Sequence, residues 1–256
     1  MANRLPDDLI AQLATLETPD ALEELRARGL LISPAAAELA TFALTQAHDD
    51  PQLALQWLTL ARGVQTASGN APEVEASILY AEARLQVLNG ELAVAERTLE
   101  RASSYWQSTG DTMSLARSGL GLTQILAMQG RLDEAEATIL KTIADLESLA
   151  LPDATLLLLD ARQNHATLLS YQERYQEALA IDAAIGSQLA ELLAAEDEAQ
   201  ARAELQQRLG LILLDSAVAL TYLDRPADAE AALREAISLL SQANAPVDRG
   251  RAQTNL

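Results

Sequence analysis

The side chains that most often carry catalysis or bind metals are scarce in this sequence. It contains no cysteine and only two histidines, His48 and His165, which lie far apart. Neither has a second histidine three or four residues away, so a zinc site lacks its usual ligands. His48 precedes Asp49 and Asp50 at a predicted helix end, where a cation suits the helix dipole. His165 lies inside a predicted helix, as a satisfied interior histidine would. We predict no metal site and no cofactor.

Carboxylates are plentiful, and paired carboxylates can perform acid–base catalysis where a cleft shifts their pKa values. The clusters 23–24, 133–134 and 196–198 lie at predicted turns or exposed helix starts, where negative charge offsets the helix dipole. The sequence has no Gly-rich phosphate loop, no Gly-x-Ser-x-Gly motif and no calcium-loop pattern. We therefore predict that the chain is not an enzyme and has no catalytic residues.

Composition and charge indicate a helical chain that avoids polyanions. Alanine and leucine dominate the 256 residues, and both lose little side-chain freedom in a helix. The formal charge of −19 disfavours nucleic acid and anionic membranes as partners. This charge either keeps an extended helical surface soluble or forms a docking face for a basic partner. No uncharged apolar stretch approaches the roughly 18 residues that span a bilayer, and the start lacks an apolar signal-peptide core, so we expect a cytoplasmic protein.

A short phrase recurs along the chain: a turn residue, an apolar residue, a polar pair and an alanine. The alanines are Ala54, Ala95, Ala135, Ala178 and Ala229, at steps of 41, 40, 43 and 51 residues. Each phrase opens a helix whose apolar residues recur every three or four positions. The period fits pairs of antiparallel helices of about five turns each, packed closely at the small alanine. The predicted fold class is all-α, built from helix hairpins.

The turns and the helix-start signals give the predicted boundaries. Thr18-Pro19, Ser33-Pro34 and Asn70-Ala71-Pro72 each combine a capping side-chain oxygen with a proline in the first turn. We predict an N-terminal cap over residues 1–33, with short helices near 6–16 and 19–28, and a repeat array over 34–256. The predicted hairpins span 34–68, 72–109, 111–149, 153–194 and 197–243. The long last step predicts either an extended helix around 197–223 or an inserted turn.

The tripeptide Asn70-Ala71-Pro72 recurs as Asn244-Ala245-Pro246, close to the last residue, Leu256. This predicts a truncated sixth unit from residue 246. Because the last unit of a helical array must cover its own apolar face, we expect the chain to be a fragment of a longer protein. We also expect an exposed apolar end near 246–256 to promote self-association.

The segment Gly130-Arg131-Leu132-Asp133-Glu134-Ala135-Glu136 resembles the tetratricopeptide-repeat (TPR) signature, in which glycine closes the first helix and alanine opens the packing face of the second. The likeness covers roughly residues 34–256 and implies a right-handed superhelical solenoid of TPR-like hairpins in units of about 40 residues. The steps exceed the usual length of about 34 residues, and leucine or alanine replaces most of the aromatic residues of the pattern.

Two parent families are suggested by alanine- and leucine-rich units of this length. The stretch from Asp7 to Gly69 is similar to the helical region of bacterial CHAT-domain (caspase-like) proteins. The array is also similar to the helical sensor arrays of signal-transduction ATPases and transcription regulators. Either resemblance implies an effector domain outside this chain.

In TPR stacks the first helices of the hairpins line a concave groove, and the resemblance implies which residues of this chain face it. They are Tyr80, Arg84, Arg117, Gln124, Gln163 and Thr167. Such polar and cationic side chains can hold an extended peptide or its carboxylate. The alternative is that Arg84 and Arg117 merely pair with nearby carboxylates. The other candidate aromatic anchors recur mostly at helix spacing and are predicted to pack in the core: Trp57, Tyr105, Trp106, Tyr171, Tyr175 and Tyr222.

These patterns predict a non-catalytic protein-interaction scaffold or sensor arm in a larger bacterial multidomain regulatory protein. Its partner is then a protein or peptide, or its own missing domains. The alternative is a structural spacer that packs against its own effector domain, a caspase-like protease or a transcription regulator, without a separate ligand.

Overall fold

The computed structural model describes residues 5–47, 49–149 and 154–256, which form helices joined by short turns and contain no β-strand. His48 therefore lies outside the described residues, as does the predicted start of the fourth hairpin at 153. Thirteen helices occur in these ranges: α1 (Asp7–Leu13), α2 (Thr18–Ala27), α3 (Ser33–Gln46), α4 (Pro51–Ala67), α5 (Pro72–Leu88), α6 (Leu92–Thr109), α7 (Thr112–Met128), α8 (Leu132–Leu149), α9 (Thr155–Tyr171), α10 (Tyr175–Ala195), α11 (Ala199–Tyr222), α12 (Pro226–Gln242) and α13 (Pro246–Asn255).

The helices form two compact units, Met1–Arg131 and Leu132–Leu256, called unit 1 and unit 2 below. In unit 1, α3 packs against α4, α5 against α6, and α7 against α6. In unit 2, α9 packs against α10, α11 against α12, and α13 against α12. Within each unit, these helices thus pack against their neighbours in the sequence, which confirms the all-α, TPR-like class. The predicted hairpin 111–149 is divided between the units, and the predicted cap boundary at residue 33 stays a prediction.

The recurring alanines lie in the core. All five members of the ladder are buried: Ala54, Ala95, Ala135, Ala178 and Ala229. Around Ala95, for example, Ala83 and Val87 of α5 pack with Leu99 of α6. A small side chain at this position lets the two helices of a hairpin approach closely, so the sequence phrase marks a packing position.

The turns that precede the last four of these alanines share one backbone geometry. Gly90, Gly130, Glu173 and Asp224 all adopt positive φ, between 57° and 77°. In each turn the next N–H donates to the carbonyl five residues back, as in Glu91 to Gln86 at 2.8 Å and Arg225 to Leu220 at 3.0 Å. This is the Schellman pattern that ends a helix. Glu173 and Asp224 therefore stand where the turns before Ala95 and Ala135 have glycine.

The predicted helix starts are correct, but the predicted capping bonds are wrong. Helices α2, α3 and α5 begin at Thr18, Ser33 and Pro72 with a proline in the first turn, and none of them has a side-chain cap hydrogen bond. Each is preceded by a residue of extended backbone, which positions the first turn without a cap. Capping carboxylates occur instead at Asp50 and Asp111, which accept the N–H groups of Leu53 and Ser114 at 2.9 and 3.0 Å.

Two short N-terminal helices and a long fourth-to-fifth step are both present in the structure. The short helices α1 and α2 share a core with the first hairpin, where Leu9 and Leu25 lie in one cluster with Leu39 and Trp57. The long fourth-to-fifth step is an extended helix, because α11 runs unbroken for 24 residues. Among the two possibilities for this step, the inserted turn is wrong.

One helix of the described ranges, α10, is long and apolar enough to cross a membrane when judged by length and composition alone. It carries Asp182 in the middle of its buried face and packs against α9 and α11. A packed helix of a helical array meets the same criterion.

Candidate functional site

The predicted groove residues of unit 1 lie on the first helices of successive hairpins. Tyr80 and Arg84 lie one turn apart on α5, and Arg117 and Gln124 lie two turns apart on α7. Arg84 Nη1 donates to Gln124 Oε1 at 2.7 Å, so the two helices present these side chains to a common face. Arg84 and Gln124 also occupy the same position of the repeat, six residues before Gly90 and Gly130. We call these four residues the unit 1 first-helix face.

This face carries two arginines, Arg84 and Arg117. Within the described residues, neither Arg84 nor Arg117 forms an ion pair, although their net-acidic chain offers many carboxylates. Arg62 of the same unit, by contrast, binds both Glu75 and Glu82 at 2.7 Å. Arg84 uses a neutral amide oxygen and Arg117 is exposed. Pairing of both arginines with carboxylates, which was the alternative, is thus not observed in the part of the chain that the structure describes.

Tyr80 is half-buried rather than fully projecting. Its ring meets the Trp106 ring edge-on, with centroids 5.8 Å apart and an angle of 68°. One side of Tyr80 is therefore fixed by the α5–α6 hairpin, while the remainder contributes to the unit 1 first-helix face. Fixed aromatic side chains lose little entropy when they bind a partner.

The predicted residues of unit 2 are Gln163 and Thr167, both on α9. Gln163 Nε2 donates to Asp215 Oδ2 of α11 at 3.1 Å, and Thr167 is exposed. Further polar contacts link the first helices of this unit, because Arg208 of α11 pairs with Asp160 of α9, and Gln207 Nε2 of α11 donates to Asp248 Oδ2 of α13 at 2.8 Å. Several polar side chains of these first helices therefore form hydrogen bonds within the unit, and the placement of Gln163 and Thr167 in a groove stays a prediction.

A buried acidic pair lies behind Gln163, and the sequence analysis missed it. Asp182 of α10 is only 3% exposed; its Oδ2 accepts the Ser216 hydroxyl at 3.3 Å, and its Oδ1 has no partner. Burial, with help from the nearby Asp215 carboxylate, raises the pKa of Asp182 to about 7. Burial also raises the pKa of Asp215, against the Gln163 hydrogen bond. The signal was present: Asp182 interrupts the apolar ladder of Ala178, Ile185 and Leu189.

Two turns carry a repeated Gln-x-Arg pair whose side chains donate hydrogen bonds to a glutamate of the preceding repeat. In unit 1, Gln129 and Arg131 donate to the Glu96 carboxylate at 3.0 and 2.8 Å. In unit 2, Gln172 and Arg174 donate to Glu136 at 3.0 and 2.8 Å. The hydrogen bond from Gln172 and then the one from Arg174 lower the pKa of Glu136. These contacts fix successive repeats and therefore position the first helices.

His165 is interior as predicted, but it is not satisfied. Its Nε2 atom is buried, has no hydrogen-bond partner and lies 3.7 Å from Glu136 Oε1. Burial lowers the pKa of His165, and the Glu136 carboxylate opposes that shift. Within the described residues no group of three or more histidine or carboxylate side chains is placed to hold a metal ion.

The prediction that the other aromatic residues pack in the core is right for the tryptophans and wrong for two tyrosines. Trp57 and Trp106 are buried. Tyr171 and Tyr222 are 66% and 67% exposed, because each stands in the last turn of its helix, beyond the packed stripe. Tyr222 stacks face to face on Tyr175, with ring centroids 4.5 Å apart and an angle of 1°.

Comparison with known proteins identifies the fold. No protein-family model matches the sequence, and no curated protein is significantly similar to it. Among solved structures, the Rap conjugation gene regulator of the plasmid pLS20, solved in complex with the Phr* peptide, has a TM-score of 0.64 at 11% identity over 85% of this chain. This chain spans 55% of the Rap chain.

Two further solved structures match over nearly their whole length. BtubC (BKLC) from P. vanneervenii has a TM-score of 0.57 at 13% identity, with 83% of this chain and 91% of that chain covered. The nearly identical TPR-like repeats of a putative kinesin light chain from Podosopora anserina have a TM-score of 0.54 at 17% identity, with 87% and 97% covered. Identities this low show the fold alone. The chain has the fold of TPR-like helical repeat proteins.

Proposed function

We propose that this chain is a non-catalytic protein-interaction scaffold that holds an extended segment of a partner protein on its first-helix faces. The observation that carries the proposal is the pair Arg84 and Arg117. In a chain of charge −19, two arginines on one face of unit 1 remain without a carboxylate partner among the described residues. A carboxylate of a bound peptide would supply the missing charge, and its pairing with arginine would be strong and directional.

The fold supports this reading, since first-helix faces of helical repeats present side chains from successive units to an extended ligand. Gln124 is suited to the peptide backbone, because its amide can donate as well as accept. Among proteins of similar fold, the Rap regulator was solved with a bound peptide. That ligand belongs to the Rap protein, and here it supports only the class of partner proposed.

The proposal also covers the compartment of the chain and the kind of protein to which it belongs. We place it in the cytoplasm, as the interaction or sensor arm of a larger bacterial regulatory protein of the CHAT-domain or signal-transduction ATPase type. The basis is the resemblance of residues 7–69 and of the alanine- and leucine-rich units. If the arm instead packs on its own effector domain, the same first-helix faces would meet that domain in cis.

Peptide selection tests the proposal. Peptides selected from a random displayed library on the full chain would be measured by calorimetry against the wild type and the double variant Arg84→Ala/Arg117→Ala. We expect the double variant to bind at least about tenfold more weakly, because two charge-assisted contacts are lost.

The matched control is Arg97→Ala, since Arg97 is exposed on α6 of the same unit and also forms no ion pair within the described residues. We expect it to change affinity less than about twofold. Equal binding by the double variant and the wild type would show that the first-helix assignment is wrong. Failure to select any peptide would favour the spacer that needs no ligand.

A further inference from the structure

A second candidate surface of unit 2 lies at the turns that follow α9 and α11. Along the chain, large side chains recur at one position of the repeat, two residues before the positive-φ turn residue. They are Leu88, Met128, Tyr171 and Tyr222, and all four are exposed. In unit 1 this position holds aliphatic side chains, and in unit 2 it holds tyrosines. The change of residue type singles out unit 2.

Tyr222 is the centre of this surface of unit 2. Its ring lies parallel to the Tyr175 ring at 4.5 Å, which joins the end of α11 to the start of α10. Tyr175 covers one face of the Tyr222 ring, and Tyr222 still leaves two thirds of its surface in water. A stack that served packing alone would gain more by burying both rings. The outer face of Tyr222 is therefore open to a partner.

Next to the stack, the charged side chains of the described residues that lack an ion-pair partner are carboxylates. Glu173 and Asp224 take the positive-φ turn positions next to Tyr175 and Tyr222, where the turns at residues 90 and 130 have glycine. The nearby arginines are already paired, Arg174 with Glu136 and Glu177, and Arg225 with Asp228. Within the described residues Glu173 and Asp224 form no ion pair or side-chain hydrogen bond. Burial raises the pKa of Tyr175, and the nearby Tyr222 and Glu173 side chains add to that shift.

We propose that Tyr175, Tyr222, Glu173 and Asp224 form a docking patch for an arginine-bearing segment of a partner protein. A guanidinium group stacks on an open tyrosine face and pairs with a carboxylate through its edge. It sheds water more readily than an ammonium group, so arginine is favoured over lysine. This patch goes beyond the proposed function, because it selects a cationic segment where the unit 1 first-helix face selects an anionic one.

A binding assay with a defined probe tests the patch. The probe is a fluorescein-labelled glycine–serine nonapeptide with two arginines, compared with its lysine and citrulline counterparts by anisotropy on the full chain at low salt. We expect citrulline to weaken binding at least about fivefold, and lysine to bind between the two. The NMR resonances of the Tyr175 and Tyr222 rings in the wild-type chain should shift as the arginine peptide is added.

The variant that tests the patch is Tyr222→Leu, which removes the aromatic face and keeps an apolar side chain. We expect about a three- to tenfold loss of affinity for the arginine peptide, and less than twofold for Met128→Ala, which alters the same repeat position in unit 1. Equal losses in both variants, or equal binding of citrulline and arginine peptides, would overturn the proposal. So would sedimentation showing a self-associated chain that Tyr222→Leu makes monomeric, because the patch would then bind a second copy.

Discussion

Asp182 occupies a position that α10 otherwise gives to apolar side chains. Transfer of a carboxylate from water into a packed interior is costly unless it is paired or takes up a proton. Ser216 supplies one hydrogen bond, while Asp215 on the adjacent helix adds like charge. Arg251 of α13 acts on Asp215 in the opposite sense. Protonation of Asp182 removes this buried negative charge, and its pKa is about 7.

The raised pKa makes the stability of unit 2 depend on pH with a definite sign. The folded state holds the Asp182 proton up to about pH 7, whereas the unfolded state releases it near its ordinary value of 3.8. This proton-linked stabilisation is present at low pH and is lost as pH rises through about 7. Asp182→Asn should therefore stabilise the chain at pH 8 by about 1–3 kcal/mol and have little effect at pH 4.

Urea denaturation at both pH values measures this effect. The control is Asp133→Asn, an exposed carboxylate in the first turn of α8, which should show no stabilisation at pH 8. If Asp182→Asn were less stable than the wild type at pH 8, the charged form of Asp182 would have to be stabilised by its surroundings, contrary to our account.

At the scale of elements, the close approach of α11 and α12 depends on a glycine. Gly210 of α11 faces Leu240 of α12, and a Cβ atom at residue 210 would lie 2.7 Å from Leu240 Cγ and 3.4 Å from the Ala236 carbonyl oxygen. Leu240 is fully buried, so it has little room to move. In α10, by contrast, a Cβ at Gly186 would meet only Leu209 Cδ1 at an ordinary 3.7 Å.

These two glycines should respond oppositely to the same change. Gly186→Ala should stabilise the chain by about 0.5–1 kcal/mol, because alanine is the better helix former. Gly210→Ala should destabilise it by about 0.5–2 kcal/mol, because the overpacking against Leu240 exceeds that gain. Thermal unfolding of both variants measures the difference. Stabilisation by Gly210→Ala would mean that α11 and α12 can separate at little cost.

At the scale of the molecule, net charge opposes folding. The described ion pairs, such as Arg26–Glu23 and Arg234–Glu230, are mostly exposed and contribute little each, whereas the chain carries a formal charge of −19. Self-repulsion of that size acts over a Debye length and is screened by salt. Repulsion rather than pairing should therefore govern the response to ionic strength.

Raising sodium chloride from about 10 to about 200 mM should increase the unfolding midpoint by roughly 2–5 °C at pH 7.5. Calorimetry measures the midpoint, with sucrose of equal osmolality as the control for excluded-solute effects. A midpoint that falls with added salt would show that the ion pairs outweigh the net charge.

The sequence by itself determined the helical class, the repeat and its turns, because alanine spacing and turn residues are local signals that recur. It placed the buried alanines and aligned Glu173 and Asp224 with Gly90 and Gly130, although glutamate seldom adopts positive φ. Only the tertiary structure decided which polar groups meet. The contact of Arg84 with Gln124 joins residues one repeat apart, and the approach of Asp182 to Ser216 joins neighbouring hairpins. Exposure of Tyr222 likewise depends on where its helix leaves the packed stripe, since helical periodicity is the same for a buried and an unburied last turn.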